Sequence, residues 1–396
     1  MKIVKWGLSF AALTAALAAV LFFGVAPDYI GREANRVVGD PGATPSADAL
    51  ALHDTLIVGD LHADTALWSR SLTERGDWGQ VDVPRLVEGN FALQMFTTVT
   101  KSPRGQNYDS NSADAADNIT LLALAQRWPG ATRDSLAARA LYQAKRIRDA
   151  AAASDNLMLV VDQPSLAALL AARQRGQKWV GALIGSEGSH ALDGKLDNVA
   201  RLFAAGFRMM SLQHFFDNKL GGSLHGESNA GLTDFGRDAV REMQRLGMMI
   251  DVSHSSETVV NDVLDLTNGA PLIVSHTGFK GHCDRKRNIS DTTMRRIANA
   301  GGLIGVGFWE EAVCGQSVDA IVSAIRYGID TFGVEHIALG SDWDGSVHTP
   351  IDAAMAPRLT QAMLSAGFSE QEIRAVMGGN MLRFLQAHLP KNAPMK

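Results

Sequence analysis

Four strand-like apolar runs in this chain each end in an imidazole or a carboxylate: TLIVGDLHAD, WVGALIGSEG, MMIDVSH and PLIVSH. They deliver His62, Asp64, Glu187, His254 and His276. Such groups are costly to bury at the end of a hydrophobic strand unless they are paired or bound to a metal. The fold must therefore bring the same ends of several strands to one point. A parallel barrel does this, because its active-site residues gather at the C-terminal ends of its strands.

The rest of the chain keeps the same rhythm. Strand-like runs fall at 55–61, 91–99, 179–186, 207–213, 248–253, 271–275, 302–308 and 336–341, with amphipathic stretches between them. TDFGRDAVREMQRLG opens on an N-cap residue, Thr233, and stops at Gly247; SDTTMRRIANAGG does the same with Ser290 and Gly301. Eight strands, each followed by a helix, predict a (β/α)8 TIM-like barrel of the metal-dependent hydrolase type, filling residues 52–396. A hydrophobic content of 46% suffices for its core. A doubly wound open sheet is the alternative. It is disfavoured because polar candidates end six of the strands. A ninth run, at 157–163, reads as an excursion within a helical stretch.

Alternating strand geometry puts residues i and i+2 on one face, so His62 and Asp64 can reach one ion. Asp60 shares that parity and competes for the role. Glu187 stands between Gly185 and Gly188, and helix capping is its competing use. His254 and His276 each follow Val-Ser. Three His and two carboxylates suit zinc, with manganese, iron and cobalt open. Five ligands exceed a tetrahedral set, so two Zn2+ bridged by Glu187 are expected, about 3.5–4 Å apart. His214 ends FRMMSLQH as a ligand or a substrate contact. Asp342, in HIALGSDWDG, is placed to move a proton; Asp344 is its rival and reads as a turn residue before Gly345. Arg287, in CDRKRNIS, either binds a substrate carboxylate or belongs to a solvated basic loop with Arg285 and Lys286. His53, His190, His225, His282, His336, His348 and His388 lack strand-end placement and read as surface or structural, though His190 and His282 lie near the proposed site.

A net charge of −5 leaves no broad basic field, which argues against nucleic acid as a partner. Lys2 and Lys5 precede an apolar run of bilayer-spanning length within residues 1–27. Positive charge on that side keeps it in the cytoplasm and exports the remainder of the chain. The bulky stretch Leu21–Val25 lacks a small-residue cleavage site, which favours a membrane anchor over a cleaved signal peptide. Either way the catalytic body lies outside the cytoplasm. Residues 28–51 read as a linker. Cys283 and Cys314 are the chain's two thiols, and export favours a disulfide between them.

The segments GDLHADT, LIGSEGSHAL, SLQH, GLTDFGRDAVREMQRLGMMIDVSH, PLIVSH, CDRKRNISD and GSDWDG occur in this order. Together they resemble the membrane (renal-type) dipeptidase family of zinc peptidases, from residue 55 to about 345. The resemblance implies a (β/α)8 barrel with two zinc ions. His62 and Asp64 would hold one, His254 and His276 the other, and Glu187 would bridge them. His214 would steady the tetrahedral intermediate, Arg287 would hold the C-terminal carboxylate of a dipeptide, and Asp342 would handle the proton. Cys283 matches a family position that looks like one half of a disulfide, with Cys314 as its partner. Relatives commonly read CDHPRN where this chain has CDRKRN, a loss of Pro expected to loosen the Arg287 loop. Animal relatives carry a C-terminal lipid anchor; LPKNAPMK has no hydrophobic tail. The implied activity is hydrolysis of a dipeptide amide by metal-activated water. Two alternatives are another amide at the same site (a β-lactam or an N-acyl amino acid) and a membrane-tethered binding protein without catalysis. A homodimer is left open.

Overall fold

The computed structural model describes residues 2–392, and of residues 2–5, 7 and 8 the backbone alone. The side chains of Lys2 and Lys5, and the final four residues of the C-terminal tail, therefore lie outside the described residues.

Nine parallel strands form one sheet: β1 Val58–Ala63, β2 Phe91–Phe96, β3 Leu157–Leu159, β4 Val180–Ser186, β5 Phe207–Ser211, β6 Met249–Asp251, β7 Ile273–Thr277, β8 Leu303–Val306 and β9 Ile337–Leu339. The neighbour order is β2-β1-β9-β8-β7-β6-β5-β4, and a β2–β4 pairing closes it into an eight-stranded barrel. Every residue of these eight strands is buried. Helices cover the outer face and side chains fill the inside, so the strands read as continuous apolar runs rather than alternating ones. This is the predicted TIM-like fold.

The run at 157–163 departs from its reading as an excursion. Leu157–Leu159 is a true strand, β3, which pairs with Val180–Ala182 in the first half of β4. The second half of β4, Ile184–Ser186, pairs with β5. β3 thus fills a seam where β4 and β5 diverge.

Local sequence sets the helix ends as expected. Thr233 Oγ1 accepts the Gly236 amide at 3.0 Å, and Gly247 closes that helix at φ 73°. Ser290 Oγ caps the helix Asp291–Asn299. At the front, the helix Lys2–Val20 passes through a wide turn at Leu21–Val25 into the helix Ala26–Ala34. Residues 28–51, expected to be a linker, lie against the barrel. Val38 donates its amide to Thr349, Asp40 to Gln316, and Ser346 to the Asn35 side chain. Gly31 fits because a Cβ there would meet the Trp78 ring at 2.3 Å.

Candidate metal centre

The barrel gathers all eight candidate site residues at the C-terminal ends of its strands. His62 lies in β1 and His276 in β7, Asp64, Glu187, His214, His254 and Asp342 follow β1, β4, β5, β6 and β9, and Arg287 lies in the loop after β7. Glu187 is the centre. Its Oε1 lies 3.2 Å from His254 Nε2, 3.3 Å from His276 Nε2 and 3.6 Å from His62 Nε2. Its Oε2 lies 3.6 Å from His214 Nε2. His62 Nε2 is also 3.6 Å from Asp64 Oδ2 and 3.9 Å from Asp342 Oδ1. The donor atoms form three overlapping groups, each within 4.8 Å: His62, His276 and Asp342; Glu187, His214 and His254; His62, Asp64 and Glu187.

These groups are held from behind. Ser275 Oγ lies 3.0 Å from His62 Nδ1 and 2.9 Å from His276 Nδ1, and donates to Asp251 Oδ2 at 2.7 Å. Asp251 Oδ1 takes the amides of Ser253 and Ser275. Thr97 Oγ1 donates to Asp64 Oδ1 at 2.6 Å, and His214 Nδ1 meets the Lys101 carbonyl at 2.9 Å. Asp60, the rival to Asp64, instead accepts from Ser341 and Gln94 and anchors the residue before Asp342.

Backbone strain concentrates here. His254 and Asp342 both stand at φ 61°, a left-handed conformation that costs a residue with a Cβ on the order of 1–3 kcal/mol. Two glycines make room. A Cβ on Gly345 would lie 2.1 Å from Asp342 Oδ1, and one on Gly340 would lie 2.0 Å from the Ser275 carbonyl oxygen.

The electrostatics fit a cation. Burial would lift Glu187, but the charges of His214 and His62 and hydrogen bonds from His254 and His276 hold it well below the usual carboxylate range. Burial would lower His62, yet Asp64 and Glu187 hold it well above its ordinary value. Burial keeps His254 and His276 well below theirs, hence neutral and fit to ligate. Burial, aided by Glu187, lifts Asp64 to about 6. Burial also lifts Asp342 well above the usual range, against the pull of His62 and with the charges of Glu187 and Asp64 adding to it. His62 Nε2 is buried without a hydrogen-bond partner, and His254 Nε2 faces His276 Nε2 at 2.9 Å. Imidazole Nε2 atoms converging on one carboxylate, with protons standing where cations would sit, fit a metal cluster whose ligands shed protons on binding.

Arg287 is fully buried. It donates Nη2 to the His276 carbonyl at 2.7 Å, lies over Trp309, and leaves Nη1 unpartnered. Arg285 and Lys286 are exposed, so the basic-loop reading fits them and not Arg287. The expected disulfide Cys283–Cys314 is formed and brackets Arg287. At the end of CDRKRN, Asn288 Nδ2 donates to the Cys283 and Ala312 carbonyls and ties the loop to both sides of the disulfide. Glu187, His214, His254, Arg287 and Asp342 line one cavity of about 30 Å³, together with Gln106, Tyr108, Phe215 and Val347.

Several site features escaped the sequence reading. Asp251 and Ser275 carried a faint signal, the repeated Ser before each His. Tyr108 and Gln106 sit in an irregular segment and carried none. Asp344 is the turn residue expected, and it is also buried, accepting from Thr65, Arg70 and the Gln80 amide. His225, read as surface or structural, is buried between Tyr108, Phe215 and His254. His282, expected near the site, packs outside against Tyr327.

A closed parallel barrel with a histidine–carboxylate cluster at its C-terminal mouth defines a metal-dependent hydrolase of the (β/α)8 class. The membrane dipeptidase profile (peptidase family M19) matches residues 46–394, and the chain belongs to that family of metallopeptidases. Dipeptidase 3 of Mus musculus is 32% identical over 334 residues, covering 77% of this chain and 62% of its own. Dipeptidase tcpJ of Claviceps purpurea is 30% identical over 325 residues, covering 78% and 69%. Among solved structures, the metallopeptidase dipeptidase AC aligns at a TM-score of 0.67 with 24% identity, over 85% of this chain and 99% of its own. A metallopeptidase from Rhodobacter sphaeroides, liganded with a phosphinate mimic of the dipeptide L-Ala-D-Ala, aligns at 0.65 with 24% identity, over 85% and 99%.

Proposed function

We propose that this chain is a zinc-dependent dipeptidase with two Zn2+ per site. His62 and Asp64 would hold one ion, His254 and His276 the other, and Glu187 would bridge them. The observation that carries this reading is the convergence of three imidazole Nε2 atoms on Glu187 Oε1 within 3.2–3.6 Å, beside Arg287 and Asp342 in one cavity.

Ions bound there supply Lewis acidity and bring the pKa of water down toward neutrality. The chain's own residues do the rest. Ser275 holds His62 and His276 with their Nε2 lone pairs inward. Asp342 takes the proton of the attacking water and returns it to the leaving amine. His214, set by the Lys101 carbonyl, stabilises the oxygen of the tetrahedral carbon. Arg287 has a free Nη1 for the substrate's C-terminal carboxylate. That contact limits the substrate to one residue beyond the scissile bond, because a longer tail carries its charge away.

The phosphinate mimic bound by the Rhodobacter metallopeptidase makes dipeptides with a C-terminal D-residue a natural first panel. The test is turnover of stereochemically varied dipeptides by metal-reconstituted protein, against N-acyl amino acids and a β-lactam. Dipeptides as the best substrates support the reading. A preference for either other class would replace it, and no turnover at full metal loading would leave a binding protein.

We also propose that the apolar helix anchors the chain in a membrane with the barrel outside the cytoplasm. Within Ser9–Ala34 the most apolar window of 18 residues has a mean hydropathy of 2.2 and is wholly unburied, and the Cys283–Cys314 disulfide suits an oxidising compartment. Membrane fractionation of the full chain checks this.

A further inference from the structure

Most of the exposed large apolar side chains among the described residues lie on the N-terminal helix. Apart from the N-terminal helix and Val37 beside it, they are Leu50, Leu121 and Leu196. Leu121 lies on the helix Asn118–Ala125, which packs against both Leu21–Val25 and Ala26–Ala34. Its sequence, NITLLALA, is apolar almost throughout. Just beyond it the Arg127 guanidinium lies 5.4 Å over the Phe23 ring.

Length fixes the depth of this contact. The apolar run Trp6–Ala26, between Lys5 and Asp28, has 21 residues, which at about 1.5 Å each span roughly one hydrocarbon core. Leu21–Val25 then lies just inside the far boundary and most of Ala26–Ala34 beyond it, so a helix packed on both sits at the boundary of hydrocarbon and headgroups. An exposed Leu121 beside the half-buried Leu122 and Leu124, with an arginine just past the helix, suits that layer, where the side chain reaches phosphate and the stem stays apolar.

We infer that the helix Asn118–Ala125 is a second membrane contact, with Leu121 seated in the bilayer interface and Arg127 among lipid phosphates. The inference rests on the anchor reading above and adds the orientation of the barrel to it. The same helix is capped by Asp117 and follows the segment that carries Gln106 and Tyr108, which line the catalytic cavity. The base of the anchor touches another part of that lining: Ser346 donates its amide to Asn35, and His348, two residues on, meets the Glu33 carbonyl. Both contacts turn the catalytic mouth toward the bilayer, so substrate enters from the water layer at the membrane surface.

Both native cysteines are in the disulfide, so one introduced cysteine is the only free thiol. Leu13→Cys, Leu121→Cys and Gln177→Cys, each made in the full chain, are spin-labelled in phosphatidylcholine–phosphatidylglycerol nanodiscs. Gln177 precedes β4, at the end of the barrel away from the site. Collision with oxygen against a water-soluble nickel chelate reads depth, and retained dipeptide turnover verifies folding. The expected order is Leu13 deepest, Leu121 at the interface and Gln177 in water. A label at 121 as aqueous as that at 177, with 13 in the bilayer, overturns the inference and spares the anchor. A label at 121 shielded from both quenchers means a protein partner covers the helix, and also overturns it. An aqueous label at 13 overturns the anchor itself.

Discussion

Ser275 gives its hydroxyl proton to Asp251 across 2.7 Å, and that one bond fixes the tautomers of two imidazoles. With the proton committed to Asp251, Ser275 Oγ can only accept from His62 Nδ1 and His276 Nδ1. Both rings therefore keep a proton on Nδ1 and turn Nε2 toward Glu187, where a metal ion would displace any proton Nε2 carries. The two belong to different metal positions in the proposed site, so one serine orients a ligand of each ion. Removing such an outer partner typically costs about 10- to 100-fold in metal affinity. Ser275→Ala should weaken zinc binding by that factor and recover much of its turnover at high zinc. Unchanged affinity by competition with a chelator would show that the rings need no such support.

Asp342 should act on chemistry and not on metal content. Asp342→Asn keeps the shape of the side chain while losing the proton carrier, so kcat should fall by roughly 10²-fold or more. Gly345→Ala should move the same way, because its methyl group would collide with the carboxylate. Single-turnover kinetics on metal-loaded protein measures both. Full activity in Gly345→Ala would show that Asp342 is free to shift.

Arg287 is assigned to binding. Arg287→Ala should raise KM and cost about 2–4 kcal/mol in kcat/KM for a free dipeptide. The variant should lose discrimination between a dipeptide and its C-terminal amide. If it discriminates as well as wild type, the carboxylate is read elsewhere.

The disulfide should act on stability more than on catalysis. Cys283 and Cys314 are 31 residues apart, a loop whose closure contributes about 3–4 kcal/mol in the chain-entropy model. Asn288 ties the same two segments independently. Changing both cysteines to serine should lower the denaturation midpoint while KM barely moves. A large rise in KM would assign the bridge a role in placing Arg287.

Much of this was legible because burial leaves few options. A carboxylate or imidazole at the end of an apolar run has to be paired or ligated, and that rule finds His62, Asp64, Glu187, His254 and His276 without coordinates. The barrel followed from the spacing of the runs. What escaped depends on contacts distant in sequence. Asp344 looks like a turn residue beside Gly345, yet Thr65, Arg70 and Gln80 bury it. The three residues of β3 were too short a run to outweigh the helical pattern around them. The stretch 28–51 has linker composition, and only its partners Gln316, Ser346 and Thr349 show that it is bound.

That last contact predicts a difference between two truncations. Removing residues 1–25 should free the barrel from the membrane and leave kcat/KM intact. Removing residues 1–41 also takes away Asn35, which holds the Ser346 amide at 2.9 Å beside the cavity, and should lower kcat/KM. Equal activity of the two would make the segment a tether only.

The central claim is a pair of ions sharing Glu187. Elemental analysis of the folded, zinc-supplied protein, with Glu187→Ala alongside, tests it most directly. The account predicts about two zinc per wild-type chain, and loss of most metal and nearly all turnover in the variant. One zinc per chain at full activity, or a Glu187→Ala protein that keeps its metal and its turnover, would contradict it.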